Sequence, residues 1–296
     1  MIFCIFESQM KDKKEQELDE GNMRALVTLL SDDDKEVLAH VESRIISLGE
    51  SIIPFLESEW ETNFNPNIQK KIEDLIHTLQ YENVKRRLEN WLDRGATNLL
   101  EGMWILSTFQ YPDLEFEKLQ ADFEQLYYDV WLDLGITTDM SAFDQVKLLN
   151  LAIFGKLKFS ANTKNFHSAT NSMINVVIDT RKGNPISLCV VYMLIAQKLK
   201  MPVWGVNLPN LFILTYKTEE SQFYINAFNK GLIFTKSDID NYISHLNLSS
   251  NSIFYEPCSN IDIIRRVLRN MIISFEKIGD SDKVKELNIL LNILDL

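Results

Sequence analysis

The chain has 296 residues, 46% of them hydrophobic and 24% charged. This is the balance of a globular protein long enough for two domains, or for one core with additions. A formal net charge of −12 repels phosphates and argues against nonspecific nucleic-acid binding, and no apolar run reaches the length of a membrane span.

Three widely separated cysteines, Cys4, Cys189 and Cys258, point to a reducing, cytoplasmic setting. With four histidines and no CxxC or HExxH pattern, no metal or cofactor is expected. The apolar opening over residues 1–6 is too short for a signal segment, and the positive charges follow it. Met10, before Lys-Asp-Lys-Lys, is an alternative start, and residues 1–22 read as a charged tail.

From Met23 the apolar spacing is helical, through Leu26, Leu29 and Leu30. Ser31-Asp32-Asp33-Asp34 breaks and caps. Val37, Leu38, Val41, Ile45 and Leu48 mark the face of a second helix, which Gly49 ends. A third helix begins around Pro54. Asn65-Pro66 opens a fourth, with Ile68, Ile72, Leu75 and Leu79, and a fifth spans residues 81–91. Short helices joined by an Asp-rich turn and a Gly resemble HEAT-type repeats, so residues 23–95 read as a small helical layer.

After Arg94-Gly95 the spacing predicts helices over residues 99–109, 114–134 and 143–154, a polar loop over 155–170, and a helix over 171–180. Gly183-Asn184-Pro185-Ile186-Ser187-Leu188-Cys189 then opens an almost wholly apolar helix ending near Leu199. Asn is a good N-cap, and Pro fits the first turn. A helix apolar on most sides belongs in a core. Its start carries a hydroxyl and a thiol at the positive end of the helix dipole, where a thiolate or an anion is favoured. Strands follow at 203–206, 211–216 and 223–228. A turn centred near Thr218 and Glu219 would set Leu211 almost opposite Asn226. Ser237 is the expected cap of a helix through Leu246. Helices over 261–278 and 282–294 close the chain as a hairpin that resembles one tetratricopeptide unit. The expected fold is α+β and mostly helical. Its predicted parts are a tail (1–22), the HEAT-like segment (23–95), a core (96–255) and the hairpin (256–296).

The pieces Tyr111-Pro112-Asp113-Leu114, Arg181-Lys182-Gly183-Asn184-Pro185-Ile186-Ser187-Leu188, Gly205-Val206-Asn207-Leu208-Pro209, Phe228-Asn229-Lys230-Gly231 and Arg265 to Asn270 occur in one order. Together they resemble the SirB-type family, whose core is transglutaminase-like, over residues 97–296. The resemblance implies a papain- or transglutaminase-like core and a Cys-His-Asp triad. Ser187 stands near the nucleophile position. Leu211 stands where family members carry His, and Asn226 where they carry Asp. Leu cannot take a proton, and Asn cannot stabilise an imidazolium as a carboxylate does. The three therefore read as vestigial triad positions.

Cys189, two residues and about 200° around the helix from Ser187, and His167 in the preceding loop are the weak candidates for surviving chemistry. A buried inert thiol and a surface loop histidine are the plain alternatives. The basic residues Lys156, Lys158, Lys164, Arg181 and Lys182 are solvated surface or a patch for an acidic partner. The expectation is a noncatalytic protein that binds a protein or peptide, with no nucleic-acid or membrane partner. The alternative is a cysteine-type hydrolase or acyltransferase using Cys189 or Ser187. The family's occurrence beside an F-box implies recognition.

Overall fold

The computed structural model describes residues 20–132, 134, 140–249 and 251–295. Residues 1–19 of the expected tail, the alternative start and Cys4 lie outside these residues, while residues 20–22, expected in the tail, belong to the first helix. The chain packs as two compact units that divide between Arg87 and Leu88.

The first unit holds α1 (Glu20–Leu29), α2 (Lys35–Leu48), α3 (Ile53–Thr62) and the first part of α4 (Pro66–Asp93). Asp34 caps α2 by accepting from the Glu36 N–H. Leu30, Ile45, Ile52, Leu56 and Ile72 form a fully enclosed core. The separate helix expected over 81–91 is instead the continuation of α4. No Gly or Pro interrupts residues 67–93, and the apolar spacing carries on without a cap.

In the second unit α5 (Leu99–Thr108), α6 (Phe116–Trp131) and α7 (Ala142–Asn150) come first. The helix expected to reach residue 154 changes at Leu151 into a π-helical turn that ends at Lys156. The expected loop over 155–170 is shorter than predicted. It contains β1 (Ser160–Ala161), which pairs in parallel with β2 (Lys182–Gly183). Between these strands a 3-10 turn, Ala169–Ser172, leads into α8 (Ile174–Thr180). The central helix α9 (Pro185–Lys198) packs against β3 (Val203–Leu208) and β4 (Leu211–Lys217), and against α6, α8 and α11 (Asn260–Ile278). Contacted by so many elements, it is enclosed from Ile186 to Met193.

The sheet is an antiparallel meander, β3-β4-β5-β6, with β5 at Gln222–Asn226 and β6 at Leu232–Phe234. Thr235, rather than Ser237, caps α10 (Lys236–His245), in a reciprocal pair with Asp238. α11 and α12 (Ser281–Ile293) close the unit as a hairpin. The molecule is mostly helical with one small antiparallel sheet. No helix among the described residues is long and apolar enough to cross a membrane.

Alternation divides the sheet into two faces. Val206, Leu208, Ile213 and Tyr224 face Ile239 and Ile243 of α10. On the other face Gly205 lies under the Phe212 ring. A Cβ there would stand 2.7 Å from Phe212 Cζ and 3.3 Å from Ile263 Cδ1 of α11. Gly205→Ala should therefore lower stability by about 1–3 kcal/mol through overpacking. Gly155→Ala, with nothing within 4 Å of its added carbon, should change stability by less than about 0.5 kcal/mol. Urea unfolding, read as a shift in midpoint at constant slope, compares the two.

Candidate functional site

The start of α9 is built by two residues that cap each other. The Ser187 N–H donates to Asn184 Oδ1 at 2.9 Å, and the Asn184 N–H donates to Ser187 Oγ at 3.0 Å. Ser187 Oγ in turn donates to the Asn184 carbonyl at 3.2 Å. Asn184 Nδ2 donates to Ser172 Oγ at 2.9 Å, which ties the cap to the turn before α8. Both residues are buried, Ser187 completely. Its hydroxyl is engaged as donor and acceptor inside the motif, so it is not presented to a substrate.

Cys189 is also fully enclosed. Its thiol donates to the Phe212 carbonyl at 3.6 Å and meets the backbone of Ala227. Burial pushes the thiol far above its ordinary range, so the reactive thiolate is suppressed. Cys258, partly buried, is pushed up to about 12 by the same cause, helped by the charge of Asp262.

Leu211 and Asn226 are not brought to Ser187. Leu211 packs with the cluster of Ile213, Tyr224, Ile239 and Ile243, on the sheet face covered by α10. By strand alternation Asn226 shares the face of Tyr224, and its side chain accepts from the Asn229 N–H at 3.2 Å. The two are also not opposite each other. Lys217 pairs with Gln222 and Leu214 with Ile225, while Leu211 pairs with Leu208 on β3. The turn is the four-residue stretch Thr218 to Ser221, closed by a Thr218 N–H bond to the Ser221 carbonyl at 2.9 Å. Its centre lies one residue later than expected, and that moves the register by two.

The residue of β4 that does face the start of α9 is Phe212. It forms one wall of an open cleft of about 250 Å³ that Asn184, Pro185 and Ile186 border on the α9 side. Arg266, Asn270 and Ile273 of α11 line the opposite side. His167 stands at the rim, and its Nε2 lies 2.6 Å from Lys277 Nζ. An ammonium has donors only, so His167 Nε2 is the acceptor and its lone pair is occupied. Among the residues singled out from the sequence, Asn184 and His167 thus reach the cleft, whereas Ser187, Cys189, Leu211 and Asn226 do not line it. Arg266 and Asn270 were not singled out as site residues. Their signal was two polar side chains four apart on a strongly amphipathic helix, beside the apolar stripe of Ile263, Val267 and Met271.

Of the basic residues, Arg181 sits in a left-handed conformation at the end of α8, with its guanidinium 5.1 Å over the Phe159 ring. Among the described residues no group of three or more His, Cys, Asp or Glu side chains is placed to hold a metal ion.

Residues 117–269 match the model of the transglutaminase-like superfamily. A UPF0162 protein of Xylella fastidiosa is 26% identical over 147 residues, covering 47% of this chain and 49% of that protein. F-box only protein 21 of Mus musculus is 25% identical over 254 residues, covering 75% of this chain and 39% of that one. The UPF0162 protein YchA of Escherichia coli is 26% identical over 129 residues, covering 42% and 48%. The chain therefore spans about half the length of these bacterial relatives and less of the F-box protein. No solved structure gives a significant match.

Because Asn184 and Ser187 form one bonded unit, Asn184→Ala and Ser187→Ala should each lower stability by about 1–2 kcal/mol, the cost of losing a cap. Each side chain bonds the other residue's backbone, which alanine leaves in place, so the double substitution should cost about the sum of the two. A double-mutant cycle on urea midpoints reads the coupling, and a double substitution costing no more than either single one would contradict two separate capping bonds.

Proposed function

We propose that this chain, which belongs to the transglutaminase-like superfamily, is a noncatalytic member that acts by binding a protein or peptide segment in the cleft at the start of α9. One observation carries the reading: the cleft is open, while both candidate nucleophiles are enclosed behind it. The Ser187 hydroxyl is held by the backbone of Asn184, and the Cys189 thiol by the backbone of β4 and Ala227. A nucleophile needs a base within hydrogen-bond reach. Leu211 and Asn226, at the positions that the SirB-type resemblance assigns to the base and its orienting acid, supply neither proton acceptor nor carboxylate.

The same reading takes residues 23–95 as a HEAT-like layer, 96–255 as the transglutaminase-like core, and 256–296 as a tetratricopeptide-like hairpin, in a cytoplasmic protein. Relatedness to an F-box protein favours recognition over turnover as the task of this domain.

Thiol reactivity tests the proposal against a hydrolase or acyltransferase working through Cys189. In a Cys4→Ser background at neutral pH, iodoacetamide should leave Cys189 unmodified in the folded chain and label it promptly in urea. Cys258 should react slowly, since its thiol titrates far above neutrality. Rapid labelling of Cys189 in the native protein would overturn the noncatalytic reading.

A further inference from the structure

We propose that the cleft at the start of α9 receives the carboxylate of an acidic peptide side chain, with Arg266 as its cationic partner and apolar walls for the neighbouring residue. The inference rests on the cleft being a peptide site and adds the chemistry of what enters it.

Arg266 and its neighbour Arg265 have opposite surroundings. The Arg265 guanidinium is satisfied by Asp262 at 2.7 Å, by Asp295 at 2.8 Å and by the Leu294 carbonyl at 2.7 Å. Arg266 lines the cleft and makes one long bond to Asn207 Oδ1, at 3.4 Å. Among the described residues it has no ion-pair partner. Burial, and after it the nearby charge of Arg269, act against its protonated form, with the Tyr242 phenol acting the other way. A guanidinium drawn partly out of water with no counterion is a site that an incoming oxyanion relieves.

The groups around it have the same sign. Lys277 stands at the rim beside His167. The positive end of α9 faces the cleft, and the Ile186 N–H is not used by the Asn184–Ser187 cap. No carboxylate lines the space, in a chain whose net charge is −12. Asn210 and Asn270 add side-chain amides that hold no bond to the other described residues.

Size and apolarity choose among anions. About 250 Å³ falls below the usual range for small-molecule pockets, roughly 300–1,000 Å³, so a nucleotide is too large and one or two side chains fit. Phe212 and Ile186 form the inner wall, while Phe166 and Ile273, 44% and 47% exposed, form the lip. Such walls suit an apolar residue next to the acidic one, and contribute nothing to a free inorganic anion.

The test uses the full chain and follows the Arg266 Nε–H and the cleft methyl signals of Ile186 and Ile273 by NMR. The probes are the pentapeptide Ac-Gly-Leu-Glu-Leu-Gly-NH2, its glutamine counterpart, and sodium phosphate. The glutamate peptide should shift these signals and bind at least tenfold more tightly than the glutamine one. Arg266→Gln should remove that difference, Arg266→Lys should restore part of it, and Lys285→Gln should leave it unchanged. Unaltered melting temperatures would show that the variants are folded. Equal binding of the two peptides, unaffected by Arg266→Gln, would overturn the carboxylate assignment and leave the cleft as a peptide site. No shift with either peptide would overturn both. Phosphate binding as tightly as the glutamate peptide would replace the peptide ligand by a small anion.

Discussion

The second unit depends on the way α9 begins. A helix that is apolar around its circumference has to lie inside the protein, and its first N–H groups then lie there as well, away from water. Asn184 and Ser187 solve this locally. Each accepts the other's backbone N–H, and Pro185 between them has none to satisfy. Once the start of the helix is self-sufficient, Ile186 to Met193 can be enclosed by strands on some sides and helices on others. The same bonds occupy the Ser187 hydroxyl as both acceptor and donor.

The sheet makes a comparable choice with the pleat. Pro209 and the left-handed Asn210 form a two-residue link between Leu208 and Leu211, and this pins which residues of β4 face α9. Phe212 and Leu214 turn towards the helical side, while Leu211 and Ile213 turn towards α10. Leu211 at the expected base position is therefore a core residue of the other face. In front of α9 lies a concave surface lined by aromatic rings, amides and one arginine.

Much of this was legible in the sequence, and the gaps have physical causes. The Gly-Asn-Pro opening, the buried helix behind it and the order of strands follow from capping preferences and apolar periodicity, which act over a few residues. The Thr218 to Ser221 turn lies one residue later than the sequence suggests, because Thr-Glu-Glu-Ser offers no Gly or Asn to mark its centre. That small offset moves the register by two. The π-turn after Asn150 depends on packing that spacing alone does not encode, whereas the continuity of α4 is legible in an apolar spacing that no Gly, Pro or cap interrupts over residues 67–93. The cleft was only half visible. Asn184 and His167 stand near the motif in the sequence, but Arg266 comes from a helix some 80 residues later. A polar residue on an amphipathic helix looks like any solvated one until the facing wall is known.

Gly183 carries a last consequence. A Cβ at that position would stand 2.4 Å from Ser187 Oγ, so the glycine and the serine hydroxyl fill one space. A side chain at 183 would have to turn the Ser187 hydroxyl aside and break its bond with the Asn184 N–H, while the Asn184 Oδ1 bond to the Ser187 N–H would remain. The two positions are thus linked by a steric rule that is indifferent to reactivity. A pattern that looks like an active-site signature therefore also records how a buried helix is started.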